Sequence, residues 1–133
     1  MIKLSRQIYE QMLDHALNGH PLEACGLVSG KDGEAVKFYP ARNAAESPVW
    51  YTIPPEDLFR IMRDLDDQGL DLLAIFHSHP ASRAYPSATD IAQAFYPDSV
   101  YLILSLADRS TPDLRGYWIR DGQVEEVRVE VVN

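Results

Sequence analysis

Leu72-Leu73-Ala74-Ile75-Phe76 is a continuous apolar run and Ser99 to Leu106 reads as a second buried strand, and together they limit the fold more than any other feature. A run of that length with no polar face reads as a strand buried on both sides. Such strands belong in a sheet covered by other elements, and the remaining sequence supplies them. Arg6 to Leu17 places Ile8, Met12, Leu13 and Ala16 at helical spacing, with Ser5 as N-cap and Gly19 and Pro21 as the stop. Gly26 to Gly30 and Glu34 to Tyr39 flank Lys31-Asp32-Gly33, a hairpin signal. Residues 41–48 read as a loop and Val49 to Ile53 as β-prone. Pro54-Pro55-Glu56-Asp57 opens a second helix, whose apolar stripe is Leu58, Ile61, Met62 and Leu65. Ser87 to Phe95 reads as a short helix. Arg115 to Arg120 and Gln123 to Val132 read as a last hairpin around Asp121-Gly122. Mixed order with several hairpins predicts an α/β fold of mixed α+β type, a mixed sheet packed by helices.

The chain has 133 residues, 46% hydrophobic and 24% charged, which fits one globular domain spanning residues 1–133. No apolar run approaches the ~20 residues that span a bilayer, and the first residues lack the pattern of a signal peptide. No membrane association is therefore expected. Cys25 is the single cysteine, so neither an intrachain disulfide nor a Cys-rich zinc ribbon can form, and a reducing cytoplasm is the expected location. The net charge of −8 argues against nucleic acid as a partner.

His77-Ser78-His79-Pro80 directly follows the first buried strand. Alternate strand residues point to one face, so His77 and His79 can approach one metal ion together. Ser87-Ala88-Thr89-Asp90 then opens the short helix, and Asp90 can add an oxygen ligand. Two histidines and one carboxylate leave a tetrahedral position for water, as in catalytic zinc sites. Each piece also has a plainer reading. A His-x-His pair is often ordinary surface or core histidine, and Ser followed by an acid three residues later is a helix cap. Hydrolysis further needs a proton shuttle. Glu23, between the first helix and an apolar strand, offers one, although a charged residue there could simply face solvent. Cys25 reads either as a small buried residue or as a thiol lining the site wall. His15 and His20 have no ligand partners by spacing and are expected on or near the surface.

Glu23, then His77-x-His79-Pro80, seven residues (80 to 86) and Ser87-x-x-Asp90 together resemble the JAMM, or MPN-plus, metalloprotease motif. Glu-Ala-Cys-Gly-Leu-Val-Ser-Gly resembles the family's Glu-containing strand, and the element order is similar to the MPN fold, a curved, cytidine-deaminase-like mixed sheet flanked by helices. The resemblance implies one Zn2+ held by His77, His79 and Asp90 plus water. It makes Glu23 the general acid/base and Ser87 the group that steadies the water or the oxyanion. It also implies hydrolysis of an amide bond after the C-terminal Gly-Gly of a ubiquitin-like protein. For small stand-alone prokaryotic members, that protein is a sulfur carrier of the ThiS/MoaD type, with release of cysteine or a peptide. The 43 residues after Asp90 contain no His or Cys, so the second zinc site of some eukaryotic relatives cannot form there. An extended carrier tail would add to a sheet edge, for which Trp50-Tyr51-Thr52-Ile53 is the candidate. Two other readings compete: a catalytically silent MPN scaffold or binding module, and a metal-binding protein without hydrolase activity. The presence of all five motif positions favours catalysis.

Overall fold

The computed structural model describes residues 1–133. Its elements are β1 (Ile2–Ser5), α1 (Arg6–Gly19), β2 (Cys25–Lys31), β3 (Glu34–Ala41), α2 (Pro55–Asp67), β4 (Asp71–His79), α3 (Ala88–Ala92), β5 (Val100–Ser105), β6 (Asp113–Arg120), β7 (Gln123–Val127) and β8 (Val129–Val132). All eight strands form one mixed sheet, in the order β7-β6-β5-β4-β2-β3-β1-β8. The β4–β5, β1–β3 and β1–β8 pairs are parallel, and the others are antiparallel. These two stretches are the adjacent central strands β4 and β5. No helix is long and apolar enough to cross a membrane.

Side-chain alternation divides the interior in two. Val28, Phe38, Phe76, Val100, Leu102 and Leu104 face one side and pack with Ile8, Met12 and Ala16 of α1. Cys25, Leu27, Ile75, Tyr101 and Ile103 face the other and pack with Ile61 and Leu65 of α2. The α1 stripe is thus the one its spacing predicts, and Ser5 caps the helix by accepting the Ile8 N–H at 3.1 Å.

Three readings of local pattern are corrected. Val49 to Ile53 is not a strand and offers no sheet edge; its backbone groups are taken elsewhere, with the Thr52 N–H donating to the Asn43 side chain and the Thr52 carbonyl accepting from Ala44. The third helix ends at Ala92 rather than Phe95. The last strand breaks at Arg128. Residues before the break pair with β6, and those after it pair with β1 at the opposite end of the sheet order. β1 itself is too short to show a periodicity. With one residue between β7 and β8, the two ends of the sheet meet, and Gly116 of β6 lies where a Cβ would come within 2.9 Å of Val129 Cγ2.

Candidate metal centre and active site

β4 carries His77 and His79 on the α2 side of the sheet, and both are buried. α3 brings Asp90 back to them. Its N-terminus is a capping box: Ser87 Oγ accepts the Asp90 N–H at 3.0 Å, and the Ser87 N–H donates to Asp90 Oδ2 at 2.9 Å. The cap and the site are therefore one structure. Asp90 Oδ2, held by that cap, lies 3.1 Å from His77 Nε2 and 3.0 Å from His79 Nε2, and the two nitrogens are 3.1 Å apart. His79 donates its Nδ1–H to the Arg83 carbonyl at 2.8 Å, which leaves the Nε2 lone pair aimed inward. The loop supplying that carbonyl is pinned by Ser105 Oγ donating to Ser82 O and by the Tyr117 hydroxyl donating to Ala84 O.

Three buried electron-pair donors on one point repel unless a cation or shared proton lies between them. A tetrahedral zinc with ligands at about 2.0–2.1 Å needs ligand atoms roughly 3.3 Å apart. The donor set and its spacing fit a zinc site formed by His77, His79 and Asp90. Electrostatics agree for His77 and Asp90. Burial holds His77 below its usual value, in the neutral form that can ligate. Burial opposes ionisation of Asp90, but the two imidazoles and the Ser87 N–H beside it outweigh this and keep the carboxyl well below the carboxylate range.

Glu23 is 3% exposed, so it does not face solvent. It immediately precedes Ala24, whose N–H donates to Ser78 Oγ at 2.8 Å and whose carbonyl accepts the Ser78 N–H at 2.9 Å. Ser78 is the residue between the two histidines. Continuing the β2–β4 register, in which Cys25 opposes His77, sets Glu23 opposite His79. Glu23 Oε1 is buried without a hydrogen-bond partner, and burial pushes the carboxyl up to about 8. Cys25 takes the plainer of its two readings: it is fully buried in the core, and burial with the nearby Glu23 charge pushes its thiol up to about 12. A thiol so hard to ionise is no nucleophile. His15 and His20 lie outside the site. His15 is half-buried and donates its Nε2–H to the carbonyls of Cys25 and Ala41.

The sequence reading gives Asn43 no role and names Tyr51 only as part of the candidate edge Trp50 to Ile53. Tyr51 stacks on His77, with ring centroids 4.7 Å apart and an interplanar angle of 26°. Asn43 bonds the segment that carries Tyr51. An aromatic inside a β-prone stretch signals burial but not this contact. Beside Asp90 opens a cavity of about 190 Å3, lined by Trp50, Tyr51, Ile53, Phe95, Tyr96 and Tyr101 among others.

Residues 5–120 match the family of prokaryotic homologs of the JAB domain. The chain belongs to this family. This JAB domain is 35% identical over 134 residues to the CysO-cysteine peptidase of Mycobacterium tuberculosis, covering 99% of the chain and 92% of the relative. It is 36% identical over 117 residues to the desampylase of Haloferax volcanii, covering 83% and 84%. A solution structure of a Desulfitobacterium hafniense protein matches it with a TM-score of 0.90 at 37% identity, over 98% of this chain and 92% of that one. A JAB1/MPN domain protein from Archaeoglobus fulgidus shares the fold, with a TM-score of 0.65 at 22% identity over 100% and 98%. The fold implied by the motif resemblance is the one observed.

Proposed function

We propose that the chain is a zinc metallopeptidase that hydrolyses the amide bond after the C-terminal Gly-Gly of a ubiquitin-like or sulfur-carrier protein, releasing cysteine or a peptide. The observation that carries the reading is the convergence of two Nε2 atoms and one carboxylate oxygen within 3.1 Å, next to a buried glutamate with an unpaired oxygen. Activity of the peptidase and desampylase relatives on such conjugates, as their names state, supports the substrate class.

In this reading His77, His79 and Asp90 would hold one zinc ion. The chemistry supplied there is Lewis acidity toward the scissile carbonyl and a lowered pKa for water. Glu23 accepts a proton from the attacking water and returns it to the departing nitrogen. Burial raises the Glu23 carboxyl from its ordinary value, which favours the protonated form that hands a proton to the departing nitrogen. Ser87 uses its oxygen to accept the Asp90 N–H, so its hydroxyl hydrogen remains free to donate to the oxyanion. The aromatic cavity beside Asp90 receives the tail of the carrier, in place of the sheet edge expected at Trp50 to Ile53. The single buried thiol suits a reducing cytoplasm.

The test uses a ThiS-type carrier extended after Gly-Gly by one cysteine, incubated with the zinc-loaded protein. Cysteine release that a chelator abolishes is the expected result. Glu23→Gln should retain zinc and lose turnover by about 100-fold or more. No cleavage by wild type, or wild-type turnover by Glu23→Gln, would overturn the reading.

A further inference from the structure

We propose that Asn43 is a positioning residue for this reaction: one side-chain amide fixes both the main chain of Glu23 and the segment that lays Tyr51 over His77. The kinetic part of the inference rests on the peptidase reading; the structural part does not.

Asn43 Nδ2 donates to the Glu23 carbonyl at 3.0 Å and to the Trp50 carbonyl at 3.1 Å, with Ser47 O at 3.5 Å. Asn43 Oδ1 accepts the Ala45 N–H at 3.0 Å and the Thr52 N–H at 3.2 Å. The Ala45 bond alone is an ordinary Asx turn. The other bonds reach far beyond a turn. They grip the carbonyl before Tyr51 and the amide after it, and so fix the backbone that carries the ring stacked on His77. The same amide group reaches twenty residues back to Glu23.

That reach matters because of how Glu23 is held. Its Oε1 has no hydrogen-bond partner, so the fixed points around it are main-chain ones. The Glu23 N–H donates to Ser47 O at 2.9 Å, its carbonyl accepts from Asn43, and the next N–H donates to Ser78 Oγ. Ser47 lies in the loop that Asn43 itself closes. Without the amide, two of the three ties on the Glu23 main chain loosen together, and the carboxylate moves with the backbone. Displacement of a reacting group by about 1 Å costs up to about 100-fold in rate.

Asn43→Ala and Asn43→Asp separate the roles. Aspartate keeps the oxygen that accepts from Ala45 and Thr52 but places a second oxygen against the carbonyls of Glu23 and Trp50. On the Gly-Gly-Cys carrier with zinc-loaded protein, both variants should lose roughly 10- to 100-fold in kcat with KM within about threefold. Both should bind zinc as wild type does, since Asn43 touches no ligand. In the metal-free protein, amide exchange at Ala45 and Thr52 should accelerate in Asn43→Ala and stay slow in Asn43→Asp, with Leu102 of β5 unchanged in both. Wild-type kcat in both variants overturns the proposal. So does unchanged exchange at Ala45 and Thr52 in Asn43→Ala, or acceleration that extends to Leu102 and marks general loosening. A wild-type protein that cleaves nothing refutes the peptidase reading, while the exchange data still decide whether Asn43 is the lock.

Discussion

Glu23 places a carboxyl away from bulk solvent, and the cost of ionising it there should be measurable without any substrate. Its folded-state value of about 8 lies above the ordinary 4.5, so folding favours the protonated form. The group's contribution to stability is complete below pH 4.5, is lost progressively up to about pH 8, and then levels off. In the metal-free protein, Glu23→Gln should remove that decline, a difference on the order of a few kcal/mol at pH 8. Urea unfolding of both proteins from pH 4 to 9 checks it; parallel curves would count against a buried carboxyl. Asp90 behaves in the opposite sense, because it is ionised and shared by two imidazoles. Asp90→Ala should weaken zinc binding by more than about 100-fold, since even outer partners of a ligand are worth roughly 10- to 100-fold. Metal content after dialysis reads this directly. The convergence of the three candidate ligands was legible because each is set by local geometry: two histidines on one strand face and an acid at a helix start. Asn43 and Tyr51 were not, because their partners Glu23 and His77 are reached through the path of the loop, and no local spacing encodes that path.

At the scale of elements, α3 has only five residues and no long hydrophobic stripe, so its capping box is a large part of what fixes it. Ser87→Ala should cost about 1 kcal/mol of stability through the lost cap. It should cost more in turnover than in stability, because Ser87 also orients the ligand oxygen. Thermal unfolding and kcat on one preparation separate the two effects; equal proportional losses would reduce Ser87 to a cap. The long elements α1, α2, β4 and β5 declare themselves through periodicity or continuous apolar character, and the sequence predicts them close to their observed positions. Val49 to Ile53 misleads because β-prone side chains describe a half-buried surface rather than a ladder. Here the neighbouring hydrogen-bonding partner is a side-chain amide, not a strand. Gln123 to Val132 misleads for the opposite reason. Its pattern is strand-like throughout, and only the tertiary partners, β6 and then β1, reveal the break at Arg128.

For the whole molecule, β6 and β8 approach each other closely where the two ends of the sheet meet. A methyl group on Gly116 would meet Val129 Cγ2 at 2.9 Å and Val100 Cγ1 at 3.1 Å. Gly116→Ala should therefore destabilise the fold by about 1–3 kcal/mol, as overpacking does. The metal centre lies on other strands, so zinc stoichiometry should persist where the variant is folded. Denaturant midpoints and metal content test both statements; an unchanged midpoint would mean the contact is looser than its geometry.

The pairing of β1 with β8 also has a consequence in time. Ile2 sits beside Val129 and Ser5 beside Val132, partners separated by nearly the whole length of the chain. During synthesis, β1 is made long before β8 and must wait for its outer neighbour. Its other neighbour, β3, touches it at one register position only. The nascent chain can thus build the hairpin of β2 and β3 and lay β4 against it early, yet one flank of the sheet stays exposed until the ribosome has released residues 129–132. β8 closes this flank of the sheet, so the flank folds late, through a contact of long sequence separation.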